Sequence, residues 1–152
     1  MPRWCGLGTQ LHYALGQDPN LLAAVLDEFL GRWEGFCAAG NGVCARLIWR
    51  ETTPRHFQNE GGEYKGRQDL NSTCVQSRTG INTNDPRNLA TEPILRNHPR
   101  VLQLPVWHML HKRPDAHTGS ECTHWCQPGV MEKAVHLLYG LLLAHDGGRL
   151  PL

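Results

Sequence analysis

Serine is nearly missing from this chain. Of 152 residues only Ser72, Ser77 and Ser120 are serines. None stands in Gly-x-Ser-x-Gly or follows a Gly-Asp pair, so a nucleophile elbow is not encoded here. Excess charge is also missing. Fifteen basic residues face fourteen acidic ones, a formal charge of +1. That leaves no electrostatic footprint for nucleic acid or for an anionic membrane surface. Long apolar runs are missing too. The longest, Leu137 to Ala144, is short and contains Gly140, whereas a membrane-spanning helix needs about 20 apolar residues. The opening Met1-Pro2-Arg3-Trp4-Cys5-Gly6 lacks the apolar stretch of a secretory signal, so neither signal nor membrane anchor is expected within this chain.

What remains has a globular composition: 40% hydrophobic and 19% charged residues, with a length that fits one domain. Six cysteines stand out: Cys5, Cys37, Cys44, Cys74, Cys122 and Cys126. Several pairings are open, and spacing alone does not choose among them. Such a set implies either an oxidising compartment or bound metal.

A helix is predicted to start at Asp18-Pro19, because Asp caps an N-terminus and Pro suits the first helical position. Leu22, Val25, Leu26, Phe29 and Trp33 repeat at helical spacing, with Leu21 and Leu30 widening the stripe. Gly40-Asn41-Gly42 ends it. Val43 to Trp49 reads as a strand buried on both faces, and Arg50 to Phe57 as a polar loop off its end. Gln58 to Pro99 shows no strong period, and a loop of that length in a domain is usually functional or disordered. Arg100 to Pro105 is a second strand candidate. A polar loop follows, then a helix after Pro128-Gly129, with Val130, Ala134, Val135, Leu138 and Leu142 on one face and Gly147-Gly148 closing it. Alternating helices and strands indicate an α/β fold with a parallel sheet. Two strands are too few for a doubly wound sheet, so the expectation is the C-terminal part of a larger α/β domain.

The chemistry concentrates in two segments. Arg50, Glu51, Thr52, Thr53, Arg55 and His56 lie at a strand end, and their bland reading is a polar turn. Arg113, Asp115, His117, Glu121 and His124 lie in the loop before the last helix, where open α/β sheets place their crevices. Glu121 stands three residues before His124, a spacing that lets a carboxylate orient an imidazole acting as base. Such pairs are common on surfaces. Ser120 is too close along the chain to His124 to align with it as a nucleophile. Cys122, His124 and Cys126, with His117, His111, His108 and His98 upstream, raise zinc as an alternative. The Cys-x3-Cys pair lacks a matching second pair, so disulfide bonding is the preferred reading.

These residues carry a resemblance. Arg50-Glu51-Thr52-Thr53-Pro54-Arg55-His56-Phe57, followed by Gly61-Gly62, resembles the Arg-x-x-Ser-Pro-x-His-Phe and Gly-Gly segments of the plant trichome birefringence-like proteins. Arg113-Pro114-Asp115-Ala116-His117 is similar to their Arg-x-Asp-Ala-His. Glu121-Cys122-Thr123-His124-Trp125-Cys126-Gln127-Pro128-Gly129-Val130 is similar to their Asp-Cys-x-His-Trp-Cys-Leu-Pro-Gly-Val.

The resemblance implies a C-terminal part of a three-layer α/β/α sandwich of the SGNH-hydrolase-like (PC-esterase) kind, with long irregular loops. Residues 18–146 would belong to it, with 1–17 an extension and 147–152 a tail. It implies polysaccharide O-acetyl transfer in the Golgi or secretory pathway, with an acetyl donor and a wall-glycan acceptor as partners and no cofactor. His124 takes the place of the general base, and Glu121 that of its orienting Asp. Arg50, Thr53, His56, Arg113, Asp115 and His117 become candidates for shaping the acceptor groove. Two departures accompany it: the family's Gly-Asp-Ser block is absent from this chain, and Glu replaces Asp at 121. The resemblance pairs Cys122 with Cys74 and ties Cys126 to the family's N-terminal half, absent here, with which this chain could associate. It places none of Cys5, Cys37 and Cys44; Cys37 and Cys44 could bond to each other or stay reduced. Two alternatives stand beside it: a catalytically inactive piece that binds glycan or a partner, and a small zinc-binding module.

Overall fold

A computed structural model describes residues 4–7, 18–40, 44–59, 73–76, 85–118, 121–126 and 128–145. The glycine pairs at 61–62 and 147–148 and the three serines lie outside them. The chain is mixed α/β and divides into two units. The first holds residues 1–52 and 85–105, the second 53–84 and 106–152.

The first unit runs β1 (Trp4–Leu7), α1 (Pro19–Ala38), β2 (Arg46–Arg50), α2 (Pro86–Asn97) and β3 (Leu102–Leu104). The strands form a parallel sheet in the order β1-β2-β3. Trp4 pairs with Arg46 and Ile48 with Leu102. β1 falls within the stretch read as an N-terminal extension, where no periodic pattern announces it.

α1 begins as expected. Asp18 Oδ1 accepts from the backbone N–H of Asn20 at 2.9 Å, and Pro19 follows the cap. Its buried stripe is Leu22, Leu26 and Leu30, spaced by four. Leu21 and Phe29, expected in the stripe, lie on its flank and are exposed. The stripe packs against Leu47 and Trp49 of β2, Leu95 of α2 and Val101, with Trp33 and Ile94 at the edge. Burial on β2 alternates rather than covering both faces. The helices gather in one cluster with the Leu47/Trp49 face, so two layers are described in this unit, not three.

α1 is also held at its end. Cys37 is bonded to Cys44, clipping the helix to the approach of β2. Trp33 Nε1 donates to Ala45 O at 3.1 Å, and the Arg100 guanidinium lies 5.2 Å from the Trp33 ring centroid. His98, which caps α2, lies 3.3 Å from Asp27 Oδ1 and 3.1 Å from Glu34 Oε2 of α1.

α2 overturns the expectation of an unstructured stretch up to Pro99. Its inward residues are Arg87, Asn88, Thr91 and Leu95, three of them polar, so no apolar period marks it. Asp85 caps the helix through the N–H of Arg87 and also binds the Arg87 guanidinium twice, at 2.7 and 2.6 Å, with both side chains buried. The Asn88 amide grips the chain as it leaves β2. Its Oδ1 accepts from Thr52 N at 2.7 Å, and its Nδ2 donates to Thr52 O at 3.0 Å.

The second unit contains a one-turn helix α3 (Trp107–Leu110), a 3-10 turn (Pro114–Ala116), a hairpin of β4 (His117–Thr118) and β5 (Glu121–Trp125), and α4 (Val130–His145). β4 and β5 are antiparallel with an irregularity between His117 and Thr118. The segment read as a loop is therefore partly a strand pair. On α4, Val130 and Ala134 are buried, whereas Val135, expected with them, is exposed beside Tyr139.

Two outcomes test this packing. Leu26→Ala is expected to cost about 2–5 kcal/mol, read from urea unfolding. Asp85→Ala, which strips a buried guanidinium of its carboxylate, is expected to cost about 3–5 kcal/mol in the same measurement.

Candidate functional site

Of the candidates, Arg50 belongs to the first unit, at the end of β2; Thr53, His56, Arg113, Asp115, His117, Glu121 and His124 belong to the second. Arg50 is half-buried, and that burial lowers its pKa. Thr53 is half-buried.

The second unit is assembled around His56. Its backbone N–H donates to Cys122 O at 3.1 Å, and its carbonyl accepts from Val75 N at 2.8 Å. Residues 56, 75 and 122 thus lie side by side, and Cys74 is bonded to Cys122 across the same junction. Spacing left this pairing open; the resemblance named it. The bridge closes a loop of 48 residues in sequence separation, a constraint on the unfolded chain worth about 4 kcal/mol in the loop-entropy account.

The rings continue the junction. His56 is 1% exposed and His117 6% exposed. His56 Nδ1 lies 2.6 Å from His117 Nε2. His56 Nε2 lies 2.9 Å from His111 O, and His117 Nδ1 lies 2.9 Å from His124 O. Trp125 packs on both: its ring is 4.0 Å from that of His117, tilted, and 5.8 Å from that of His56, edge-on. Burial, first of all, lowers the His56 pKa, and the neighbouring His117 and His111 rings act in the same direction. The His111 carbonyl and the Asp115 charge oppose them. His56 and His117 therefore sit beneath the loops that carry them.

His124 lies on β5 with an exposed side chain. Its backbone is held from below by His117. Glu121 opens the same strand. Arg113 and Asp115 form an exposed ion pair: Arg113 Nε donates to Asp115 Oδ1 at 2.9 Å and Nη2 to Oδ2 at 2.8 Å. The Arg113 hydrogen bond holds the Asp115 carboxyl below its ordinary pKa. Cys126 follows β5; its N–H donates to Ala116 O at 2.8 Å and its Sγ to His117 O at 3.0 Å. At Gly129 a Cβ would stand 2.9 Å from Cys126 O, so the turn into α4 requires glycine.

Of the residues that raise zinc, Cys122 lies in a disulfide. Cys122 is committed to Cys74 and has no thiolate to give a metal. Among the described residues, no group of three His, Cys, Asp or Glu side chains could hold a metal ion. The network of His56 with His117 and Trp125 is what sequence reasoning missed. Its members were visible as loop polar residues, but their burial was not.

Compared with known proteins, the chain is similar to Protein trichome birefringence-like 12 of Arabidopsis thaliana, 27% identical over 127 residues. The match covers 64% of this chain and 30% of that protein, so the chain spans less than a third of the length of the curated relative it matches. The relationship is one of distant homology. No protein-family model matches the chain, and no solved structure matches it.

The junction has a measurable consequence. Cys74→Ser is expected to destabilise the protein by about 4 kcal/mol against urea. The destabilisation should match that produced by selectively reducing the same bridge.

Proposed function

We propose that this chain is the C-terminal portion, residues 18–146, of a polysaccharide O-acetyltransferase of the trichome birefringence-like family. The observation that carries this reading is the distant homology to trichome birefringence-like 12, which the run Glu121 to Val130 accompanies. The exposure of His124 on a strand anchored by a disulfide and a buried ring supports it. The Cys37–Cys44 and Cys74–Cys122 bridges suit an oxidising secretory compartment such as the Golgi. No described helix is long and apolar enough to cross a membrane.

In this reading a serine from a Gly-Asp-Ser block, outside these residues, supplies the nucleophile. His124 accepts its hydroxyl proton as Oγ attacks the acetyl carbonyl, and delivers that proton to the departing donor group. In the second half, His124 takes the proton of a sugar hydroxyl as that oxygen attacks the acetyl-serine, and returns it to Oγ. Glu121 orients the imidazole, one methylene longer than the family's Asp. Arg113 and Asp115, paired and exposed, offer donors and acceptors to sugar hydroxyls. Thr53 is an acceptor contact by residue type alone. His56 and His117 shape the groove from beneath, by fixing the loops.

A second reading is a non-catalytic piece that binds glycan or a partner. Acetyl transfer to oligosaccharides, assayed for this chain and for one extended N-terminally by the serine block, separates the two. The first reading expects transfer by the extended protein only. In that protein His124→Ala should lower kcat by about 10²–10⁴-fold with unfolding unchanged. No transfer by either protein overturns the enzyme.

A further inference from the structure

Arginines in the described residues have partners, with one exception. Arg32 pairs with Glu28, Arg87 with Asp85, Arg96 with Glu92 and Arg113 with Asp115. Arg100 lies against the Trp33 ring, and Arg46 and Arg55 are engaged as well. The exception is Arg50. Among the described residues its guanidinium meets no carboxylate, carbonyl or ring. Nor does it stand in open water. The residue is half-buried, and the burial reaches the guanidinium itself, because it lowers that group's pKa with no described carboxylate opposing it. A side chain that merely laid its stem on apolar surface would keep its head in water. Arginine stays protonated in proteins, so the fold holds a partly desolvated cation without a counter-charge, an arrangement that costs stability.

The place of this cation is defined by the sheet. β2 is the central strand, with β1 and β3 parallel on either side. Arg50 ends β2 in register with Leu104, the last residue of β3, and Trp49 before it is in register with Leu7, the last of β1. The three strands therefore stop together, and Arg50 stands in the middle of their carboxyl edge. Open parallel sheets receive ligands beyond this edge. Alternation along β2 buries Leu47 and Trp49 against the helices and turns Arg50 to the other face. The backbone that follows is fixed. The Glu51 N–H donates to Leu104 O at 3.2 Å, and the Asn88 amide holds both the N–H and the carbonyl of Thr52.

We propose that Arg50 is a binding site for a carboxylate at the carboxyl edge of the parallel sheet. A guanidinium presents two parallel N–H donors, which match the two oxygens of a carboxylate. Charge selects carboxylate over phosphate. The site has one cation, in a chain of net charge +1. One carboxylate neutralises it, whereas a phosphate group carries about −1.5 to −2 at pH 7 and would leave uncompensated negative charge in a partly dry place. A simple organic acid and an acidic sugar present the same two oxygens. All the residues that build the site belong to the first unit, and the proposal does not rest on acetyl transfer.

The test is a titration of the nitrogen-15-labelled chain at constant ionic strength with acetate, glucuronate, glucose and inorganic phosphate, following the Arg50 Nε–H and the Glu51 and Thr52 amides by NMR. The proposal expects saturable shifts with acetate and glucuronate, none with glucose, and weaker binding of phosphate. Arg50→Gln should weaken carboxylate binding by about 10-fold or more, read from the two amides. Arg50→Met, which keeps the stem and removes the charge, should unfold in urea no earlier than the unmodified chain, and it should lose the stabilisation that added acetate confers. Tighter binding of glucuronate than of acetate supports the site and assigns its carboxylate to an acidic sugar; the reverse supports it and assigns a simple acid. Absence of a saturable Arg50 shift with both carboxylates, an equal response to glucose, or tighter binding of phosphate overturns the proposal. So does marked destabilisation by Arg50→Met, which would show that the guanidinium has a partner within the fold. Carboxylate binding and acetyl transfer by the extended protein are read separately, and either can fail alone.

Discussion

Every polar group of His56 is spent on a different piece of the chain. Its N–H reaches Cys122, its carbonyl meets Val75, one ring nitrogen meets the end of α3, and the other meets His117. Few side chains could replace it. The position needs two ring nitrogens at fixed angles, a flat shape that fits beside Trp125, and tolerance of full burial. Asn or Gln has the polar atoms but not the ring. Because these contacts converge on one residue, the placement of β5 depends on that imidazole.

Each unit combines buried apolar side chains with a disulfide and buried polar bonds. The first has an apolar cluster of seven buried residues, from Leu22 on α1 to Val101 before β3. Burial of such side chains contributes about 1.5–3 kcal/mol each, which makes hydrophobic packing its main support. The second buries Phe57, Val106, Leu110, Ala116, Val130 and Ala134. There the Cys74–Cys122 bridge and the hydrogen bonds of His56 and His117 add to the apolar contacts.

The sequence showed the fold wherever local rules and the tertiary outcome agree. Asp18-Pro19 and the Leu22-Leu26-Leu30 spacing mark α1 on their own. The same Asp-Pro signal stands at Asp85-Pro86 and starts α2, but there the inward face is polar and Pro93 interrupts the pattern, so an apolar period could not find it. β1 and the β4–β5 hairpin are short and mixed in composition, and only their partners make them strands. For the site, motif resemblance brought His56, His117 and the Cys74–Cys122 pairing into view together. Nothing local in sequence distinguishes a polar residue in an exposed turn from one buried against another ring 61 positions away.

That difference bears on how the motif residues are read. A histidine that touches substrate must present a ring nitrogen to it. His56 and His117 have both ring nitrogens engaged within the fold, each with one carbonyl and the other ring. His124 is placed differently: its carbonyl is engaged by His117, while its side chain is exposed. The division follows from topology, since the backbone of a short strand can be gripped from one side while a side chain leaves from the other. A motif that places several histidines near one another thus combines two physical roles. Buried rings set the backbone by their hydrogen bonds, while the side chain of His124 lies exposed on that backbone.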